Sequence, residues 1–174
     1  TLREIKKKVK LERMIDSIRH AAKQGLVIKV NIVLGFPDDT HADIFWTFWF
    51  LARVSFAGAH DVGMAVFSPY PGSELFERLV KEKRISYTDK YFAGLSYVDF
   101  TEAPSYCDRI GAKTLLFYIF LGFAIFYPLS YLFRPIRMFR TISNVLASRE
   151  DTRGERALRQ MLERFKYFRL WKTG

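Results

Sequence analysis

The sequence predicts an α/β fold with parallel strands, followed by an α-helical tail that associates with a membrane. Three observations carry this expectation. Two runs rich in Val and other apolar residues, 26–34 and 61–67, each end in a Gly- and Pro-rich turn and lead into a helical pattern. Residues 114–133 hold no charged side chain, and a stretch of that size is about long enough to span a hydrocarbon core. Beyond them the chain turns strongly basic.

The 174 residues suit one domain of ordinary size with an appendage. A chain that is 49% hydrophobic and 17% aromatic yet 26% charged must separate apolar from charged blocks. The net charge of +10 points to an anionic partner, whether nucleic acid, phospholipid headgroups or an anionic substrate. The single cysteine, Cys107, excludes an internal disulfide and cannot by itself hold a cluster or a structural zinc. The chain begins at Thr1 rather than Met and is expected to be a fragment, which would hide any signal peptide.

In chain order, residues 3–24 read as a helix with Ile5, Val9, Leu11, Ile15 and Ile18 on its apolar side and Gly25 as its stop. Residues 26–34 read as a strand covered on both faces, interrupted by Lys29 and Asn31. Thr40 and Asp43 have capping-box spacing, with Asp in place of the usual Glu. A helix follows over 41–56, with Ile44, Phe48 and Leu51 on one face. Trp46, Trp49 and Phe50 carry its apolar character around most of the circumference, so a partner or a membrane is expected there. Residues 61–67 form the second strand, and 73–83 a helix buried through Leu75, Phe76 and Leu79. This alternation implies a parallel sheet. Residues 84–112 lack strong periodicity and read as an ordered connection with short helical pieces.

The uncharged stretch contains Gly122 and Pro128 as possible bends. Residues 134–174 hold eleven Arg and Lys against four acids, which is +7 of the whole chain's +10. Leu158, Leu162, Phe165 and Phe168 recur at helical spacing, the pattern of a basic amphipathic helix that rests on headgroups over 155–171.

Ligands of parallel α/β structures gather at the C-terminal ends of strands. The turns at 35–40 and 68–72 occupy those positions, and two ordinary tight turns explain their Gly and Pro equally well. Asn31 is a polar residue in an apolar strand, expected to point into a barrel. His20, His41 and His60 have no compact metal-site spacing. Asp38 and Asp39 suggest an acid–base pair, but a turn and helix-start electrostatics explain them more simply.

Val33-Leu34-Gly35-Phe36-Pro37-Asp38-Asp39-Thr40 resembles the hydrophobic–Gly-Phe-Pro-Gly-Glu-Thr segment of many radical S-adenosylmethionine enzymes. Phe67-Ser68-Pro69-Tyr70-Pro71-Gly72-Ser73-Glu74-Leu75-Phe76 resembles their following strand and Pro-Tyr-Pro-Gly-Thr-Pro-Leu turn. Asp38 departs from the family's usual Gly. The resemblance covers about residues 1–85 and is nearest to the cobalamin-binding class, which includes anaerobic magnesium-protoporphyrin monomethyl ester cyclases.

That resemblance implies the C-terminal portion of a partial (β/α) barrel over 1–85; outside it, the residues themselves read as a connecting segment over 86–112, an apolar membrane-associated segment over 113–134 and a basic amphipathic helical tail over 135–174. It implies binding of S-adenosylmethionine at Asn31, Val33, Gly35, Phe36 and Pro37, with Ser68, Pro69 and Tyr70 bordering cofactor and substrate. A [4Fe-4S] cluster, its ligands outside these residues, would generate a 5′-deoxyadenosyl radical. Cobalamin would be carried by a further domain. The partners implied are an electron-donor protein, membrane lipids and a hydrophobic small-molecule substrate such as a tetrapyrrole or lipid, with no nucleic acid, at the cytoplasmic face of the membrane. Because barrel and basic tail both belong on that face, the apolar segment is expected not to cross simply: it would enter one leaflet, bend near Gly122 or Pro128 and return, or lie as an interfacial helix. An RNA-modifying enzyme and a non-catalytic membrane module are the competing readings.

Overall fold

The computed structural model describes residues 10–86, 88–95 and 104–146. Among these, six helices surround a two-stranded parallel sheet: α1 (Leu11–Lys23), β1 (Lys29–Leu34), α2 (His41–Ala57), β2 (Asp61–Val66), α3 (Glu74–Lys81), α4 (Asp89–Gly94), α5 (Ala112–Phe133) and α6 (Pro135–Leu146). The start of the expected first helix at 3–9 and the expected basic helix at 155–171 lie outside the described residues.

Lys29 pairs with Asp61 and Leu34 with Val66, so the strands run in register over their whole length. β1 therefore starts later than the Val- and Ile-rich run does. Leu26 and Val27 have no strand beside them and stay exposed. At Ile28 the carbonyl accepts the N–H groups of His60 and Asp61, and its own N–H donates to His60 Nδ1. That clasp is where the ladder begins, and it accounts for His60 as a boundary residue.

The pleat separates two environments. Val30, Leu34, Val62, Met64 and Val66 belong to the main core with Leu51 and Val54 of α2 and Ile15 and Ile18 of α1. Lys29, Asn31 and Val33 are exposed on the opposite face. α1 ends where expected: the Gly25 N–H donates to Ala22 O and the Leu26 N–H to Ala21 O, a Schellman arrangement. Glu12 and Arg53 join α1 to α2 through two bonds of 2.7 and 2.6 Å.

α5 is the unexpected part of the core. It runs alongside α2 across the back of the sheet. Leu115, Ile119, Gly122, Phe126 and Ser130 form its buried stripe. At one end Leu115 meets Gly35, and midway Gly122 sits against Met64 and Leu51. Further along, the Tyr127 hydroxyl donates to the buried Asp61 carboxylate at 2.7 Å. Just past its end Arg134 donates to Ala57 O. A Cβ on Gly122 would collide with Met64 Sδ and lie 2.6 Å from its Cε, so the end of the Met64 side chain would have to move aside to admit one. The helix continues unbroken through Gly122 and Pro128. It is long and apolar enough to cross a membrane by length and composition, yet one stripe of it, from Leu115 to Ser130, is buried against α2 and β2.

The capping box at the start of α2 is formed. Thr40 N–H donates to Asp43 Oδ2 at 2.9 Å, and Asp43 N–H donates to Thr40 Oγ1 at 3.3 Å. The Thr40 hydroxyl, and then its N–H, hold the Asp43 carboxyl below the usual carboxylate range. Its stabilising share is complete above the unfolded carboxylate's pKa of about 3.9 and is lost as pH falls through the lower folded value. Thr40→Ala should cost about 1 kcal/mol, measured by thermal unfolding at neutral pH. The loss should shrink in acid, below about pH 4, where the wild type forfeits the same interaction.

Candidate functional site

Both Gly- and Pro-rich turns stand at the C-terminal end of the sheet, as expected from the strand order. Phe67 N–H donates to Leu34 O at 2.7 Å, which carries the pairing one residue past the ladder. Beyond that point the chains part, and the Phe36 and Phe67 rings meet at a tilt of 31° with centroids 4.6 Å apart. They join Phe76, Leu79, Ile85 and Tyr106 in a second small core. α3 lies here because Ser73 caps it through the Phe76 N–H and its Phe76 and Leu79 turn into this cluster.

The first turn is braced by Asp39. Its Oδ2 accepts the N–H groups of Gly35 and Phe36, both at 3.0 Å, and the residue is 4% exposed. The Asp39 N–H returns to Phe36 O, and Asp39 O accepts the Cys107 thiol at 3.3 Å. Pro37 O accepts the Asp108 N–H, while Arg84 pins the same segment through Asp108 at 2.5 Å and Tyr106 O at 2.7 Å. Burial pushes the Tyr106 phenol up from its usual pKa. Asp38 is exposed and faces Arg78 at 3.4 Å. The two acids therefore do not form a pair: one braces the loop inside, the other stands on the surface.

The residues singled out from the sequence fall into two environments. Asn31 and Val33 lie on the open face of β1, and the Asn31 side-chain oxygen rests where a Cβ on Gly63 would stand. Gly63 and Ala65 keep that face shallow. Gly35, Phe36, Pro37 and Pro69 are buried in the loop layer, Ser68 is half-buried and Tyr70 is exposed. Gly35 has φ +81°, and a Cβ there would lie 2.6 Å from Leu115 Cδ1. The space beside Gly35 is thus filled by α5. The second turn is held by α4 and its end: Tyr91 OH donates to Pro69 O and Tyr70 OH to Leu95 O.

The open face offers one exposed carboxamide with Val33 and Ala65 beyond it toward the sheet's C-terminal end, and the Lys29 side chain lies beside Gly63 at the other. Those features fit an adenosyl group, which needs a few directed hydrogen bonds and an apolar platform. An iron–sulfur cluster is not fitted by these residues. Among the described residues no three His, Cys, Asp or Glu side chains converge, and Cys107 is buried against Asp39. Sequence reasoning gave Asp39 to the turn, where it stands, but missed Leu115 as a support of the loop. The one local signal was the position of Asp39 four residues beyond a glycine that ends a strand.

No protein-family profile matches the chain, and no solved structure matches it. It is similar to an uncharacterized methyltransferase of Pyrococcus horikoshii, 33% identical over 69 residues, which cover 38% of this chain and 14% of that protein. It is also similar to the tRNA-2-methylthio-N(6)-dimethylallyladenosine synthase of Halorhodospira halophila, 38% identical over 66 residues, 38% of this chain and 13% of that protein. The chain thus spans only about one seventh of either relative's length. Likeness to two enzymes of group transfer suggests an enzyme, and it is consistent with the radical S-adenosylmethionine superfamily at that coarse level.

Proposed function

We infer that these residues are the later-strand portion of a radical S-adenosylmethionine barrel. The observation that supports this most is the pairing of two parallel strands whose Gly- and Pro-rich turns lie together at one end, beside an open face bearing Asn31 and Val33. Asn31 would direct a hydrogen bond to the adenosyl group, and Val33 would supply apolar contact. Gly35, Phe36 and Pro37, held by Asp39, would fix the height of the loop over it. Ser68, Pro69 and Tyr70 would line the side nearest the substrate. S-adenosylmethionine, when bound, supplies the radical chemistry. The chain's own groups orient it and exclude water.

Elsewhere in the protein the reading requires a [4Fe-4S] cluster and an electron-donor protein, and it extends to a cobalamin domain. The substrate would be hydrophobic, a tetrapyrrole or lipid met at the cytoplasmic face of the membrane. The name of the Halorhodospira relative brings in an RNA substrate as a second reading. The outward apolar surface of α2 and α5 favours the hydrophobic one.

The test is calorimetric titration of S-adenosylmethionine into the intact, anaerobically reconstituted protein, wild type against Asn31→Ala and Val33→Asp. Both side chains stand on an exposed face, so folding should hold, as checked by thermal unfolding. Affinity is expected to fall about tenfold or more, since one directed hydrogen bond or its apolar platform is lost. Unchanged affinity in both variants would remove this face from the cofactor site.

A further inference from the structure

α2 and α5 meet along a seam that brings their outward faces together. Phe45 stacks edge-on with Tyr118 near one end, and Phe56 meets Phe133 with centroids 5.1 Å apart near the other. On either side of the seam the outward positions are apolar. Trp46 and Trp49 of α2 are 70% and 61% exposed, and Phe117 and Phe120 of α5 are 60% and 63% exposed. A helix that covers a sheet ordinarily shows water a charged outer face. α5 has no charged residue from 114 to 133. The two charges of α2 are both engaged: Asp43 with Thr40, and Arg53 with Glu12.

On the α5–α6 side of this face the charges in the sequence have one sign. From Ala112 to Leu146, the charged residues are Lys113, Arg134, Arg137 and Arg140, with no acid among them. Lys113 stands at the start of α5 and the three arginines at its end and along α6. Ile136 and Phe139 of α6 are exposed beside them. A broad apolar, tryptophan-bearing surface, carried by a stretch of chain whose only charges are cationic, complements the interface of an anionic bilayer, with headgroups for the cations and acyl chains for the rings.

We propose that the joint outward face of α2 and α5 docks on an anionic phospholipid surface, with both helices lying in the plane of one leaflet and α5 not crossing it. This deepens the membrane half of the proposed function and is independent of its cofactor half. The in-plane orientation follows from the packing. The inner stripe of α5, from Leu115 to Ser130, is buried against α2 and β2, with Leu115 at Gly35 and Gly122 at Met64 and Leu51, and the neighbouring Tyr127 bonds to Asp61. A transmembrane α5 would have to leave the core. Docked this way, the strand axes lie along the membrane and the open face of β1 points away from it. The loop end of the sheet is then placed beside the lipid surface rather than buried in it.

The experiment is sedimentation of the intact protein with vesicles of phosphatidylcholine alone or with added phosphatidylserine. It is paired with quenching of tryptophan fluorescence by lipids brominated at shallow or deep acyl positions. Binding should require phosphatidylserine and fall several-fold in high salt, with stronger quenching by the shallow bromines. Phe117→Glu/Phe120→Glu should lower vesicle affinity about tenfold or more while circular dichroism and melting temperature stay near wild type. Trp46→Ala/Trp49→Ala is the milder second variant, read by sedimentation alone. Retained binding in both variants, quenching from the bilayer centre, or cosedimentation that survives alkaline extraction would overturn the proposal. So would absence of vesicle binding, with the glutamate variant instead changing the oligomeric state. None of these readouts depends on S-adenosylmethionine, and the calorimetric titration needs no lipid, so either half can fail alone.

Discussion

Phe126→Ala should destabilise the intact protein by about 3–5 kcal/mol, among the larger losses that a single substitution brings. Phe126 is fully buried, with its ring centroid 5.4 Å from that of Tyr127. It sits four residues beyond Gly122 on the stripe that faces β2. Truncation leaves a cavity that a helix already in close contact at Gly122 and Leu115 cannot collapse to fill. The matched control is Phe120→Ala, on the outward face of the same helix, which should change stability by no more than about 0.5 kcal/mol in detergent-free buffer. Thermal unfolding of the two variants therefore reads which stripe is core. Equal and small effects would mean that α5 is an appendage, detached from the sheet. A large loss at Phe126 alone confirms it as the layer beside α2.

This contrast also shows where the sequence is legible. Strands, turns and α2 are written in local signals: runs of Val and Ile, a Gly-Phe-Pro turn, a Thr and Asp three apart. Each acts within a few residues, and the structure bears them out with shifts of one to three residues at the ends. α5 is different because both of its stripes are apolar. Leu115, Ile119 and Phe126 face inward while Phe117, Phe120 and Leu132 face outward. Composition makes the helix conspicuous, but periodicity cannot say which side meets the sheet. Gly122 and Ser130, small or polar residues on the inner stripe, are the local hints, and they gain meaning only once Met64 and Leu51 are known to lie opposite. The site is legible to the same degree. The turns at both strand ends follow from the pattern, and so does their shared location. That Leu115 fills the space beside Gly35 depends on a contact distant in sequence, which no local pattern encodes.

Asp39→Ala is the other substitution with a large expected effect, and it separates a structural acid from a catalytic one. Its carboxylate satisfies two backbone N–H groups at the point where β1 stops pairing with β2. With alanine there, two donors remain in a buried loop without that acceptor, at about 1–3 kcal/mol each, so a total loss of about 2–6 kcal/mol is expected. Asp39→Asn keeps an oxygen in place but makes both bonds neutral. It should lose less than the alanine variant, about 1–2 kcal/mol, because charge-assisted hydrogen bonds are roughly twice as strong as neutral ones. Asp38→Ala, on the exposed neighbour that faces Arg78, should stay within about 0.5 kcal/mol. Thermal unfolding gives the order Ala, then Asn, then the Asp38 variant. S-adenosylmethionine affinity should follow the same order, because the loop that Asp39 braces carries Gly35, Phe36 and Pro37. A variant at Asp39 that unfolds like the wild type, binds the cofactor normally and yet has no turnover would reverse the assignment. In that case the carboxylate would act on substrate, and the loop would draw its rigidity from the contacts of Cys107, Asp108 and Leu115 instead.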